Sequence, residues 1–155
     1  MKSLFAILIV GVCLVAFTHE TVKGPEDHPD YKAVHAAISD YVDGLYKVDS
    51  ALIERSVHPE LRKRGYWYHN KSESYRDNLD MSFEQLRHLS ATWNVNGNMA
   101  NEKSVRKIEI YDINDKTASA RLTAVWGLDY FHLAKLGDQW YIMNVLWQSL
   151  PEMEE

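Results

Sequence analysis

The apolar residues of this chain change their spacing near Ser104, and this change limits the folds that the chain can adopt. In three segments before Ser104, apolar side chains recur every three or four residues, which is typical of amphipathic helices. After it, they alternate along the chain, which predicts antiparallel strands joined by tight turns. Helices first and strands last is the α+β pattern, in which an antiparallel sheet carries its helices on one face. The predicted strands span residues 105–113, 117–136 and 139–150.

Two helices are predicted at the start of the domain. The first begins near Pro29, because proline is tolerated in a first helical turn, and it carries one apolar stripe. The second follows Asp49 or Ser50 and ends near His58, because Pro59 disfavours helix at the residue before it. The stripe of the first helix consists of Tyr31, Val34, Ile38, Tyr41, Val42 and Leu45.

An aromatic strand and a third helix are predicted between these helices and the three alternating segments. Residues 64–70 predict the strand, with a hairpin partner near residues 74–76. Ser82 and Gln85 have the spacing of a capping box, so the helix begins there, and a turn at residues 94–98 ends it.

The N-terminal residues have the order of a secretory signal. Lys2 is followed by an apolar run and then by polar residues, and the run is too short to span a bilayer comfortably. We therefore expect export to the periplasm or the extracellular space, with no membrane association after cleavage; the alternative is a buried N-terminal helix. The predicted organisation is a signal peptide at 1–19, a flexible leader at 20–28, one domain at 29–150 and a C-terminal tail at 151–155.

Charge and cysteine content restrict the partners of the exported domain. Cleavage removes Lys2 and the single cysteine, which leaves 17 − 1 = 16 basic against 22 acidic residues, a net charge of −6. Without a disulfide, the domain must be held together by its core. The acidic balance argues against a nucleic-acid partner, which requires clustered lysine and arginine. The one basic cluster, Arg62-Lys63-Arg64, is interpreted as a solvated strand edge.

The long predicted strand is apolar on both faces beyond residue 124. A sheet that is apolar on both sides needs two covers, and the helices supply only one. Exposed Trp126, Tyr130 and Trp147 would be a liability, so we expect a homodimer formed through the sheet.

Asp129 lies within this apolar strand. If Gly137-Asp138 is a two-residue turn, Asp129 and Asn144 are diagonal neighbours on one face. A buried aspartate must be hydrogen-bonded, solvated in a cavity or placed at a rim. It is either a satisfied core or interface carboxylate, or a pocket acid or base whose pKa is raised by desolvation.

Two segments resemble a known family. Residues 58–64 (HPELRKR) and 129–147 (DYFHLAKLGDQWYIMNVLW) are similar to the putative lumazine-binding family of the nuclear transport factor 2-like (NTF2-like) superfamily, which includes the SnoaL-like proteins. The resemblance extends over roughly residues 29–150, with Asp129, Trp140, Asn144 and Trp147 in matching positions. It implies a cone-shaped fold in which a bent antiparallel sheet wraps around the N-terminal helices, encloses a pocket and dimerises through the sheet.

The resemblance also implies two kinds of site. Superfamily members include isomerases, cyclases and dehydratases that use an aspartate, often with a histidine, and others that only bind or scaffold. Asp129 is the candidate acid or base, with His58, His69 or His132 as its partner. The alternative for His58 is a structural role at the end of a helix, where its imidazole would interact favourably with the helix dipole.

Several aromatic residues are candidate ligand contacts, although core packing is the alternative for each. No two histidines have the spacing of a metal site on one helix, so we expect no metal. The leading hypothesis is an exported domain that binds a small apolar or planar molecule and requires no cofactor. The alternatives are a cofactor-independent isomerase, cyclase or dehydratase that uses Asp129, and a purely structural dimer. The candidate ligand-binding residues are Tyr41, Trp67, His69, Trp93, Phe131 and Asn144.

Overall fold

The computed structural model describes residues 24–151 of the chain. The predicted signal peptide at 1–19, the first part of the leader (20–23) and all but the first residue of the tail (152–155) lie outside the described residues. Within the described part, no helix combines the length and the apolar character needed to cross a membrane.

Within residues 24–151, three helices and six strands form an α+β fold, which confirms the predicted class. Short 3-10 turns at Pro25–Asp27 and Asn70–Ser72 complete the regular structure. The helices are α1 (Tyr31–Tyr46), α2 (Ser50–Ser56) and α3 (Phe83–Ser90). The strands are β1 (Val57–His69), β2 (Ser74–Met81), β3 (Arg106–Ile113), β4 (Thr117–Ala124), β5 (Gly127–Leu136) and β6 (Gln139–Gln148).

The strands form a single sheet in the order β2-β1-β6-β5-β4-β3. All neighbours are antiparallel except β1 and β6, which pair in parallel. The sheet is therefore mixed, whereas the sequence predicted an antiparallel sheet. Parallel neighbours need a long crossover, and the chain between β1 and β6 supplies it. The two pieces predicted from sequence, an aromatic hairpin and a C-terminal meander, are joined by this pairing.

The second helix ends earlier than predicted, and the strand after it is longer. β1 begins at Val57, so His58 and Pro59 belong to the strand and not to the helix end. The register between β1 and β6 is irregular between Val57 and Arg62. This irregularity accommodates Pro59, which has no N–H to donate to a ladder.

The predicted strand over 117–136 is interrupted by a tight turn at Val125 and Trp126. Ala124 pairs with Gly127, whose φ of +129° is open only to glycine, and β4 and β5 form a hairpin. Before the turn the even-numbered residues point toward the helices, and after it the odd-numbered ones do. Leu122 and Asp129 therefore lie opposite each other on the buried face. The predicted turn at Gly137-Asp138 is confirmed, because Leu136 pairs with Gln139.

A β-bulge corrects the predicted register of the last hairpin. The pairing of β5 with β6 shifts between His132 and Leu133, which leaves Met143 unpaired. Asp129 therefore lies opposite Trp147, while Asn144 points to the solvent side of the sheet. The prediction that Asp129 and Asn144 share a face is wrong, because a bulge moves every following side chain to the other face.

The core lies between the helices and the concave face of the sheet. The apolar stripe of α1 supplies Val34, Ile38, Tyr41, Val42 and Leu45, all of them buried. At the start of α3 the capping box of Ser82 and Gln85 forms as predicted. The core residues of the sheet include Val57, Leu61, Ile110, Ala120, Leu122, Phe131, Leu133, Trp140, Ile142 and Val145.

Gly65 tests how tightly the sheet face is packed. A Cβ on this residue would overlap the indole of Trp147, which lies in the same cross-strand row. We expect Gly65→Ala to lower the free energy of unfolding by about 3 kcal/mol, because overpacking displaces the ring. Urea denaturation measures the change.

Gly97→Ala is the matched control. Gly97 has a φ of +68° and open space where its Cβ would lie, so only backbone strain applies, about 1 kcal/mol. Equal losses in the two variants would contradict the close packing of the Trp147 indole against Gly65.

Candidate functional site

A buried polar cluster lies beneath the helices, formed by Asp129, Lys63, Tyr41 and Trp126. The indole nitrogen Nε1 of Trp126 donates a hydrogen bond to Oδ2 of Asp129 at 2.9 Å. The ammonium Nζ of Lys63 lies 3.6 Å from Oδ1 of Asp129 and donates to the Tyr41 hydroxyl at 2.6 Å. Asp129 is 0% exposed and Lys63 only 7%, so water screens this cluster little.

Four elements bring the cluster together. Tyr41 comes from the stripe of α1, Lys63 from β1, and Asp129 from β5. Trp126 occupies the β4–β5 turn, and Tyr46 at the end of α1 fixes that turn. The Tyr46 hydroxyl accepts a hydrogen bond from the Val125 N–H at 3.0 Å and donates to the Val105 carbonyl at 2.7 Å.

Lys63 was missed in the sequence because it belongs to a basic run. Arg62 and Arg64 are exposed, and Arg64 pairs with Asp80 at 2.8 Å on the surface. Lys63 between them points inward, so the prediction of a solvated edge is wrong for this residue. Leu61, Lys63 and Gly65 alternate with exposed residues, and this alternation indicates that Lys63 faces inward. The predicted strand began only at residue 64 and did not include Lys63, whereas β1 begins at Val57.

Burial controls the ionisation of the cluster. Burial raises the pKa of the Asp129 carboxyl, and the nearby charge of Lys63 only partly opposes this shift. Burial likewise lowers the pKa of Lys63, against the attraction of Asp129, and raises the pKa of Tyr41. Both members of the pair are thus displaced toward their neutral forms. Oδ1 of Asp129 has no hydrogen-bond partner among residues 24–151.

A cavity of about 210 Å³ lies against this cluster. Tyr41 and Lys63 form its polar side, and the rest of its wall is apolar or aromatic. The rings of Trp93 and Trp126 meet edge to face at 5.4 Å, and Lys63 Nζ lies 5.4 Å from the centre of the Trp147 ring. The remaining lining residues are Leu45, Met81, Leu86 and Leu89. We call this space the inner cavity.

A wider cleft of about 730 Å³ lies outside the inner cavity. The two spaces share Trp93, Trp126 and Trp147, which therefore stand between them. Trp67 and His69 line the cleft, and Trp67 is 41% exposed. His69 is hydrogen-bonded to the Ser72 hydroxyl at 2.9 Å through Nδ1. The outer cleft is thus an aromatic approach to the buried cluster.

The structure brings some of the predicted site residues together. Tyr41 and Trp93 line the inner cavity beside the Asp129 cluster, while Trp67 and His69 line the outer cleft. Phe131 is buried against Tyr41, with ring centres 5.1 Å apart, and lies behind the cavity wall.

Other predicted residues lie elsewhere. His58 packs against Tyr141 near the start of β1, and its Nδ1 accepts a hydrogen bond from the Glu60 N–H at 3.2 Å. Asn144 and His132 are exposed on the outer face of the sheet. Trp126 and Trp147, which were predicted in an exposed patch, turn inward because of the β4–β5 turn and the bulge.

No group of three or more His, Cys, Asp or Glu side chains within residues 24–151 is placed to hold a metal ion. The polar cluster contains a single carboxylate, an amine and a phenol, and these are groups for hydrogen bonding and proton transfer.

Solved structures define the class of fold. An NTF2-like protein of unknown function from Shewanella baltica matches with a TM-score of 0.59 and 20% identity, over 79% of this chain and 95% of that chain. An NTF2-like protein from Cytophaga hutchinsonii matches with a TM-score of 0.54 and 11% identity, over 79% of this chain and all of that one (100%). A ketosteroid isomerase-like protein from Erwinia carotovora atroseptica matches with a TM-score of 0.53 and 13% identity, over 79% and 98% of the two chains. The fold is therefore the cone of the NTF2-like proteins.

The family model described as putative lumazine-binding matches residues 29–148. The chain belongs to this family, as the resemblance of its sequence implied. Comparison with the curated proteins finds no match.

Lys63→Met tests the buried pair. We expect the pKa of the Asp129 carboxyl to rise further, because the variant removes the attraction of the ammonium. We also expect the free energy of unfolding to fall by about 3–5 kcal/mol, because a buried charge loses its partner. Carbon-13 NMR of the carboxyl and urea denaturation measure the two effects.

Two further variants serve as controls for the pair. Arg64→Met breaks the exposed pair with Asp80 and should cost less than about 1 kcal/mol. Lys63→Met combined with Asp129→Leu should recover most of the loss, because an apolar replacement of a buried pair is often neutral. A Lys63→Met variant no less stable than Arg64→Met, with an unchanged carboxyl pKa, would show that the pair is not coupled.

Proposed function

We propose that the protein binds a small, planar and largely apolar molecule in the inner cavity. The observation that carries this proposal is the combination of three tryptophans with a buried polar group in one concave site. Ligand sites are typically apolar and aromatic, with a few polar groups that set orientation. Family membership and the shared fold support a small-molecule-binding role in general terms.

The size of the inner cavity limits the ligand. A cavity of about 150 Å³ in another protein holds benzene. The inner cavity, at about 210 Å³, suits a compound of one or two rings. The description of the family makes lumazine, a two-ring heterocycle, the first compound to test. The outer cleft would accommodate substituents that extend past the tryptophans.

Export and dimerisation remain part of the proposal. The order of the N-terminal residues supports export to the periplasm or the extracellular space. The exposed outer face of the sheet carries Tyr130 and Leu146 side by side, at 42% and 51% exposure. An apolar patch of this kind supports a homodimer formed through the sheet.

Leu89→Trp tests the site of binding. Leu89 lines the inner cavity, and a larger ring there should fill it without altering the polar cluster. For the wild type, a ligand at a hundredfold its Kd should raise the free energy of unfolding by about 2.7 kcal/mol. We expect the variant to lose this stabilisation, measured by thermal shift across one- and two-ring compounds that include lumazine.

Leu79→Trp is the control, because Leu79 is exposed on β2 and lines neither space. It should bind as the wild type does. Stabilisation that survives in Leu89→Trp would place the ligand outside the inner cavity. A complete lack of binding by the wild type across the panel would count against the proposed function.

A second candidate function is proton transfer by Asp129, as in a cofactor-independent isomerase, cyclase or dehydratase. The observation that favours it is Oδ1 of the fully buried Asp129 carboxyl, which has no hydrogen-bond partner among residues 24–151 and lies 3.6 Å from Lys63 Nζ. Burial raises the pKa of this carboxyl. A raised pKa makes a carboxylate a stronger base than an exposed aspartate, which favours proton abstraction. The Tyr41 hydroxyl and Lys63 would hold a ligand oxygen nearby.

A general proton-transfer probe separates this candidate from simple binding. The probe 5-nitrobenzisoxazole is a two-ring compound that opens to a coloured phenolate when a base removes its carbon-bound proton. If Asp129 is a catalytic base, Asp129→Asn should slow this reaction by about a hundredfold while ligand-induced stabilisation persists. Asp80→Asn, at an exposed carboxyl, is the control and should leave the rate unchanged. Equal rates for the wild type and Asp129→Asn would exclude Asp129 as the base for this probe.

A further inference from the structure

Lys63 is the most unusual group on the cavity wall. It is an amine that lines an aromatic cavity and is otherwise shielded from solvent. Its Nζ has a hydroxyl at 2.6 Å, a carboxyl oxygen at 3.6 Å and the rings of Tyr41 and Trp147 at 5.3 and 5.4 Å. Lys47 and Lys107, by contrast, are exposed lysines that each pair with a carboxylate on the surface.

We propose that Lys63 forms a reversible imine with an aromatic aldehyde or ketone bound in the inner cavity. This inference rests on the proposed function, and it specifies the substrate class of the same site. Buried lysines are the ones that proteins use for such bonds, because desolvation favours the neutral, nucleophilic amine. In agreement, burial lowers the pKa of Lys63 and raises that of Asp129.

The groups around Lys63 balance each step of the reaction. The neutral amine attacks the carbonyl carbon, a C–N bond forms, and one amine proton passes to the oxygen to give a carbinolamine. The protonated carboxyl of Asp129 then gives its proton to the carbinolamine hydroxyl, which leaves as water. The products are an iminium cation on Lys63, a carboxylate on Asp129 and one water molecule. The Tyr41 hydroxyl, 2.6 Å from Nζ, is placed to hold the carbonyl oxygen during the attack.

The site is also suited to the product. An iminium carries the same charge as the lysine ammonium, so Asp129 neutralises it without a new buried charge. The rings of Tyr41 and Trp147 lie within cation–π range of Nζ and would stabilise the cation in the same place. Trp93 and Trp126 form the walls against which the aromatic part of the substrate would pack.

Reductive trapping tests the inference. The protein is incubated with 2-naphthaldehyde and cyanoborohydride, which reduces an imine to a stable secondary amine. Peptide mapping by mass spectrometry should find a naphthylmethyl group on Lys63 before any surface lysine is modified. Lys63→Met and Lys63→Arg should lose this adduct; Lys63→Arg preserves the charge beside Asp129 if the methionine variant unfolds. Lys107→Met, at an exposed lysine, should be trapped as the wild type is.

Asp129→Asn and a non-carbonyl analogue distinguish the possible failures. Asp129→Asn should slow trapping at Lys63 by about a hundredfold, because it removes the acid that expels water. Binding of 2-naphthalenemethanol, followed by tryptophan fluorescence, reports the cavity without imine chemistry. If this alcohol binds but Lys63 is modified no faster than Lys107, the imine inference is wrong and the binding function stands. If neither compound enters the cavity, the proposed function fails as well.

Discussion

The arrangement of the candidate site depends on one buried ion pair, Lys63 with Asp129, beneath an aromatic cover. The two residues lie on β1 and β5, and β6 runs between these strands. Removing two charges from water costs several kcal/mol for each, and their attraction offsets this cost only with further hydrogen bonds. Tyr41 and Trp126 supply such bonds, so the position of α1 and that of the β4–β5 turn are tied to the pair.

Local irregularities of the sheet make room for this arrangement. The β4–β5 turn reverses the alternation so that Asp129 faces the helices, and the bulge at Met143 does the same for Trp147. In the next strand, Gly65 leaves space for the Trp147 indole, which then lies over the Lys63 ammonium. A regular sheet would have placed either the carboxyl or the indole in solvent. Bulges are common beside functional sites for this reason.

The sequence predicts the elements better than their connections. The helical stripe of α1, the capping box at Ser82 and the Gly137-Asp138 turn all depend on local chemistry, and each is where its residues indicate. The parallel β1–β6 pairing could not be predicted, because no local signal links strands so far apart in the chain. The turn before Gly127 and the bulge at Met143 each change which side chains face the helices. The sequence did not predict them, because both segments are apolar on each face and a shift of one residue leaves the apolar pattern unchanged.

Among the site residues too, those with a clear local signal were predicted and the one without it was not. Asp129, Tyr41 and Trp93 were found because a carboxyl in an apolar strand and an aromatic stripe stand out in a sequence. Lys63 was hidden between two exposed arginines.

The buried pair would also allow one cavity to serve both the proposed binding and the proposed imine chemistry. The pair has no net charge as an ammonium with a carboxylate, and none as an amine with a carboxylic acid. Moving a proton between Nζ and Oδ1, which are 3.6 Å apart, therefore changes the reactivity of the site without bringing charge into or out of the core. Water would favour the charged form strongly, but burial shifts the pKa of each partner toward the neutral one. A ligand in the inner cavity would bury the pair further and strengthen this shift, so the proposed binding would itself favour the neutral, nucleophilic form of Lys63.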